Sequence, residues 1–351
     1  MRKAYGMADV SPEIATQGNG EPRGRERTPA LRAVVVCADL VTRRLPQMEF
    51  KAGEWLAVPS GKMGRGLVVQ MRRGSDAGSV LSVSYEDVLL IQAIGTLYEA
   101  GITHVTLNEV CKCLLGCWNL SHAYPVPSSF RAATARAIAR LREMVLAIDA
   151  NRQATHGKTQ GGAGGFEWEG ALLDVADCKF TARNGAFVDG YRIDGVGVLV
   201  EYARDRGHLE FAPIKAVTLP RTSCLRRRMQ NYLLTECRRI KGHCGELLED
   251  GETKRGRVLV ASMLKAIGGG PASPNKGRYY RTIHDGLACV CAALESGGLL
   301  SHYEIEGKGD KMKVSLDVPL KTDLDKEKEV KRQEKKARRR RRLKEAAKDD
   351  H

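Results

Sequence analysis

Long apolar runs are missing from this 351-residue chain. No stretch approaches the roughly 20 consecutive apolar residues of a membrane span. The opening MRKAYGMADVSPE has no apolar segment of the export type. Aromatic residues are scarce at 5%, yet hydrophobic residues make up 42%, enough to build two domains with cores. Ten cysteines are present, but they are dispersed and do not read as a disulfide framework. Together these features lead us to expect free thiols in a reducing, cytoplasmic setting, with no membrane partner.

Three chemistries also lack their residues. Cys111, Cys113 and Cys117 form one loose cluster, and Cys237, His243 and Cys244 another. Structural zinc needs four ligands at matched spacing; no second Cys or His pair stands at that distance, so half-buried thiols are the better account. Gly157, Lys158 and Thr159 look like the end of a phosphate loop, but Arg152 occupies the place of its first glycine. The glycines at 268–270 precede Pro-Ala-Ser-Pro and not Lys-Ser/Thr. Tyr279 and Tyr280 head a predicted helix where a DNA-nicking tyrosine could sit, but the His-x-His pair such nickases need is absent from the eight histidines. With no nucleophile beside a base, we expect neither an enzyme nor a cofactor.

What the chain has in excess is positive charge, a formal net of +15. Residues 326–351 hold thirteen Lys/Arg against six Asp/Glu, a net of +7, which leaves +8 on the remainder. The balance favours a polyanionic partner and says little about fold. The tail, including ARRRRRLKE, suits either a phosphate clamp or a solubilising end. It could not supply site specificity, because phosphate contacts position while base contacts specify.

In chain order, residues 1–30 are polar and rich in Gly, Pro and Arg, so we expect disorder. Residues 31–73 carry short β-like runs, LRAVVVCADLV and GLVVQMRR. A helix is predicted over 84–100, with Ser84 as N-cap and Asp87 three residues on. A second spans 106–115, with Thr106 and Glu109 as a capping box. A third covers 127–145, its core stripe being Phe130, Ala137, Ile138, Leu141 and Val145. Arg136 and Arg140 are placed opposite that stripe, with Arg131 and Arg142 at its flanks. A hairpin around a glycine-rich loop, 146–180, follows. The segment 171–220 reads as mostly β, including GVGVLVEYA.

A second unit repeats the layout. A helix over 223–240 leads, with Arg226–Arg228 and Arg238–Arg239 supplying charge. A short helix is predicted within 255–269 and a longer one from about 278 to 294. In the latter Tyr280, Ile283, Leu287, Val290 and Leu294 form a buried stripe. Asn275, Lys276, Arg278, Arg281, Thr282 and Asp285 are its candidate DNA-facing residues, and Tyr279 is a candidate phosphate contact. A hairpin over 302–318 turns through Gly307-Lys308-Gly309-Asp310-Lys311, so Lys308, Lys311 and Lys313 could meet flanking phosphate. In the first unit the candidates are Arg131, Arg136 and Arg140. A helix that buries one side and presents a basic, hydrogen-bonding N-terminal turn can enter a major groove.

The stretches VLLIQAIGTLYEAG, SSFRAATARAIARL, FEWEGALLDV, LEFAPIKAVTLP, MQNYLLTECRRIKG and GRYYRTIHDGLACVCAALESGGLLSHYE give the chain a resemblance to plasmid and mobile-element replication initiators with two winged-helix domains. It covers about two-thirds of the chain, from 84 to about 318. Residues 1–80 and the arginine-rich tail have no counterpart in it. The resemblance implies sequence-specific binding of double-stranded DNA at origin repeats, recruitment of host helicase or polymerase components, and self-association through the first domain. The expected architecture is therefore α+β: tandem winged helix-turn-helix domains with a β-rich connection and a basic C-terminal tail. The domains would be a leader at 1–80, a first winged-helix domain with a β-rich extension at 81–220, a second at 221–320, and the tail at 321–351. A winged-helix transcriptional regulator would use the same folds, although no ligand-sensing domain is evident. An RNA- or ribosome-associated protein would also account for the basic tail.

Overall fold

The structure, a computed structural model, describes residues 31, 33–59, 67–74, 79–120, 124–149, 167–181, 185–219, 223–269 and 276–321. The N-terminal 30 residues, the loop with Gly157, Lys158 and Thr159, Asn275, and the tail from 322 lie outside them. The chain is a mixed α+β protein with small antiparallel sheets.

The leader segment folds from residue 33. It provides β1 (Ala33–Cys37), α1 (Leu40–Arg44), β2 (Glu49–Lys51), β3 (Trp55–Ala57), β4 (Val68–Arg73) and β5 (Val80–Ser82). Asp39 caps α1, accepting from the Thr42 amide at 2.8 Å. Val34, Val35, Phe50, Val69 and Met71 are buried in the first of two hydrophobic cores. The β-like run of 31–41 is therefore an integral strand, not an appendage.

The first unit proper begins with α2 (Tyr85–Glu99), then β6 (His104–Val105), α3 (Leu107–Leu114) and α4 (Ser128–Arg142). The expected N-cap at Ser84 is present and forms a capping box with Asp87, as does the expected pair Thr106 and Glu109. Next come β7 (Met144–Asp149), β8 (Glu167–Ala171), β9 (Val175–Thr181) and β10 (Phe187–Ile193). The expected hairpin of β7 and β8 forms, but it completes a four-stranded sheet, β3–β4–β7–β8, with the leader strands. A different hairpin returns to the helices. β10 pairs with β6, Tyr191 opposite Val105, and with β9, in the order β6–β10–β9. Gly190 is required here, because a Cβ would lie 2.5 Å from the Val105 carbonyl oxygen and from the Phe180 ring.

The connection holds one departure from expectation. The apolar run after Gly197 is a helix, α5 (Val198–Asp205), followed by β11 (Leu209–Pro213) and the short α6 (Ile214–Val217). Its β-branched residues favour strand in isolation. Burial of Val198, Leu199, Val200, Tyr202 and Ala203 overrides that preference. β11 pairs antiparallel with β1, so the leader and the connection close on one another.

The second unit runs α7 (Cys224–Arg239), β12 (Glu246–Leu247), β13 (Thr253–Leu259), α8 (Val260–Ala266), α9 (Lys276–Ser296), β14 (His302–Glu306) and β15 (Lys313–Pro319). The segment read as one short helix is thus a strand followed by a helix. Along β13, Thr253, Gly256 and Val258 are buried at near-alternate positions, and the strand seats against β15, Val258 opposite Val314. The sheet order is β12–β13–β15–β14. In each unit, then, a strand is followed by two helices and by a hairpin whose second strand returns to pair with the first. Met229, Leu233, Val260, Met263, Ile283, Leu287, Val290, Leu294, Val314 and Leu316 fill the second core. Among the described residues no helix is long and apolar enough to cross a membrane.

Candidate nucleic-acid interface

In α9 the buried residues are Ile283, Gly286, Leu287, Val290, Cys291 and Leu294. Lys276, Arg278, Arg281, Thr282 and Asp285 are all exposed. Arg278, Arg281, Thr282 and Asp285 stand at positions i, i+3, i+4 and i+7, so they form one face, away from the core. That face combines two guanidiniums, a hydroxyl and a carboxylate. These are donors and acceptors suited to base edges.

Two expected residues behave differently. Tyr279 is half-buried with its hydroxyl inside the protein and packs edge-on against Tyr280, ring centroids 5.4 Å apart. Its assignment as a phosphate contact is corrected: the hydroxyl points away from solvent. Tyr280 is only half-buried, and its hydroxyl donates to the Asp310 carboxylate in the turn of the β14–β15 hairpin. That bond ties the head of α9 to the hairpin tip. The hydrogen bond to Asp310 raises the Tyr280 pKa to about 12, since losing the phenol proton would break that bond and place two negative charges together.

The hairpin turn begins at Gly307, whose φ is +77° and where a Cβ would lie 2.7 Å from the Lys311 carbonyl oxygen. A single helical turn, Gly309–Lys311, completes it. Lys308, Lys311 and Lys313 are exposed around this tip. Arg255 in β13 holds the returning strand through two bonds to Asp317, at 2.7 and 2.6 Å.

The first unit presents a smaller exposed basic face. Arg131 and Arg136 on α4 are exposed, and Ser129, Ala132 and Ala133 leave an open, small-residue surface beside them. Arg140 is not part of that surface, and its assignment is corrected. Its Nη2 bonds both carboxylate oxygens of Asp87 at 2.6 Å and its Nη1 the Ser82 carbonyl at 3.1 Å. Asp87, which is buried, also accepts from the Ser84 amide and hydroxyl, so Arg140 braces the capping box at the start of α2. Arg142 pairs likewise with Asp177 of β9 at 2.5 Å.

The same distinction runs through α7. Arg228 lies 3.2 Å from Glu86 and donates to the Ile267 carbonyl at 2.8 Å. Arg238 pairs with Glu210 at 2.9 Å, Arg239 with the buried Glu236 at 2.6 Å, and Arg227 is wholly internal. Most of the charge expected there is engaged by carboxylates or carbonyls of the same chain. By contrast, the side chains of Arg131, Arg136, Lys276, Arg281, Lys308, Lys311 and Lys313 make no ion pair or hydrogen bond among the described residues. Cys111 and Cys113 sit in the core beneath α3, where burial pushes both thiols up from their ordinary pKa.

No family model matches the chain, and no curated protein matches it. Two crystal structures of domains 2 and 3 of RctB are similar in shape. One is 12% identical with a TM-score of 0.42, and the other, of selenomethionine derivatives, is 13% identical with a TM-score of 0.41. Each comparison covers 80% of this chain and 96% of the other. At that level of similarity no functional detail passes from one chain to the other.

Proposed function

We propose that this protein binds double-stranded DNA through two winged-helix units and acts as a replication initiator, without a reaction of its own. The observation that carries the reading is the α9 face: Arg278, Arg281, Thr282 and Asp285 lie together, exposed, on a helix whose opposite side is core. A strand, two helices and a returning hairpin, in the pairing order β13–β15–β14, support the winged-helix assignment. In it α9 enters the major groove and the β14–β15 hairpin is the wing. Lys308, Lys311 and Lys313 would meet the adjoining phosphates, which set affinity and register. The β6–β10–β9 arrangement with α4 supports a second, weaker contact through Arg131 and Arg136. Asn275 and the basic tail from 322 add donors and charge in the same reading.

The origin-directed role rests on the sequence resemblance to plasmid and mobile-element initiators. It assigns the protein origin repeats as its target, host helicase or polymerase components as partners, and self-association through the first unit; the expected reducing, cytoplasmic setting rests instead on the dispersed cysteines. The test is whether the gene with its flanking DNA allows a marker plasmid to persist. Persistence that is lost on changing Arg281 to Ala is the expected result. Failure to replicate, with binding at a promoter instead, would make the protein a transcriptional regulator. Preference for RNA over duplex DNA would remove the DNA reading.

A further inference from the structure

The two units meet at a buried arginine. Arg227 of α7 is 7% exposed, and its guanidinium carbon lies 5.6 Å from the centre of the Trp118 ring, which follows α3. Its Nη1 donates to the Val217 carbonyl at 3.2 Å and to the Gln230 side-chain oxygen. Burial pushes its pKa down to about 10; what opposes that shift is the Cys113 thiol and not a carboxylate. The group therefore keeps its charge at neutral pH. A buried charge with no partner costs several kcal/mol.

Three N–H groups at this junction have no acceptor among the described residues: Arg227 Nε, Trp118 Nε1 and Gln92 Nε2. All three residues are more than nine-tenths buried. They line one internal cavity together with Val34, Val36 and Asn231, with room for the centre of one water-sized sphere, about 10 Å³. Each orphaned buried donor is costly, and the three residues that carry them share one small cavity, which suits a single, compact acceptor.

We propose that this cavity binds one small anion, a halide such as chloride, which accepts from these three N–H groups and balances the Arg227 charge. The anion fastens the second unit to the first, since Gln92 belongs to α2 and Arg227 to α7. A water molecule could accept only two of the three bonds, would bring no charge, and its own two hydrogens would need acceptors. Turning the Gln92 amide over would present one neutral oxygen and still leave the guanidinium without a counter-charge. Carboxylate and phosphate ligands exceed the space.

The experiment is thermal unfolding of the full chain in sodium chloride or bromide against sodium gluconate at matched ionic strength, with crystals grown in bromide. Halide should raise Tm by roughly 2–4 °C at ten times its Kd and follow one-site linkage. Bromide should give an anomalous-scattering peak among Gln92, Trp118 and Arg227. Trp118→Phe keeps the ring and removes one N–H, so it should shift the halide midpoint up by about tenfold. Arg227→Met should abolish the halide dependence; if that variant does not fold, Trp118→Phe still reports on the site. Superimposable unfolding curves in halide and gluconate, or a halide effect untouched by Trp118→Phe with no bromide peak, would overturn the proposal.

Discussion

Residues of one chemical type take opposite roles here, and neighbours in space decide which. Arg140 and Arg281 are both arginines on the last-packed helix of a unit, yet one clamps Asp87 and the other faces solvent. Arg140→Ala should lower stability by about 1–3 kcal/mol in urea unfolding, because the nearly buried Asp87 carboxylate loses its charged partner. DNA affinity of the folded fraction should be unchanged. Arg281→Ala should do the reverse: stability within about 0.5 kcal/mol of the parent, and about 1–3 kcal/mol lost on a specific duplex with little lost on random duplex. Fluorescence anisotropy separates the two. None of this was legible at Arg140. Its partner lies 53 positions away, and helical spacing alone places it with Arg136. Tyr279 misled for the same reason, since a residue beside an apolar stripe can turn either way until its neighbours are known. The exposed face of Arg278, Arg281, Thr282 and Asp285 was legible, because it is the complement of a regular apolar repeat.

Whole elements were readable where their signals are local. The capping boxes at Ser84 and Thr106 are three-residue patterns, and both helices begin there. β13 and α5 were not readable. The first has an alternation of only seven residues that runs directly into a helix, and the second carries β-branched residues but is held helical by burial of one broad face. The tip of the β14–β15 hairpin is linked to the head of α9 by one side-chain hydrogen bond. Tyr280→Phe removes the link to Asp310 while leaving the ring, so the head of α9 and the hairpin tip become independent. We expect duplex affinity to fall by about 0.5–1.5 kcal/mol with Tm nearly unchanged. Lys308→Ala should weaken binding to all duplexes alike and reduce the slope of log K against log salt by about 1, as for one lost phosphate contact.

At the scale of the molecule, the fold divides its positive charge into two populations. One is committed to intramolecular partners: Arg43 and Arg239 on the buried Glu236, Arg255 on Asp317, Arg140 on Asp87, and the buried Arg227 at the junction. The other is the outward set on α4, α9 and the wing. The first population is offset locally by its carboxylates, so the formal net charge overstates the uncompensated positive surface. The buried thiols and phenols make a further global prediction. Cys37, Cys113, Cys237 and Tyr85 are all held above their ordinary pKa by burial, and Cys291 is pushed up to about 12. In the unfolded chain thiols lose their protons near pH 9 and phenols near 10, while the folded groups keep theirs. Above about pH 9 the unfolded state thus binds fewer protons than the folded one, and stability must decline as pH rises. Urea midpoints measured from pH 7 to 10.5 should be level at first and then fall.

The most direct test of the central claim, that the α9 face reads base edges in duplex DNA, is selection of bound sites from a random double-stranded library with the parent chain and with Arg281→Ala. The account predicts an enriched motif with the parent, and loss of preference at one or two adjacent positions of that motif with the variant. No enrichment with the parent, or an identical motif from both proteins, would contradict it.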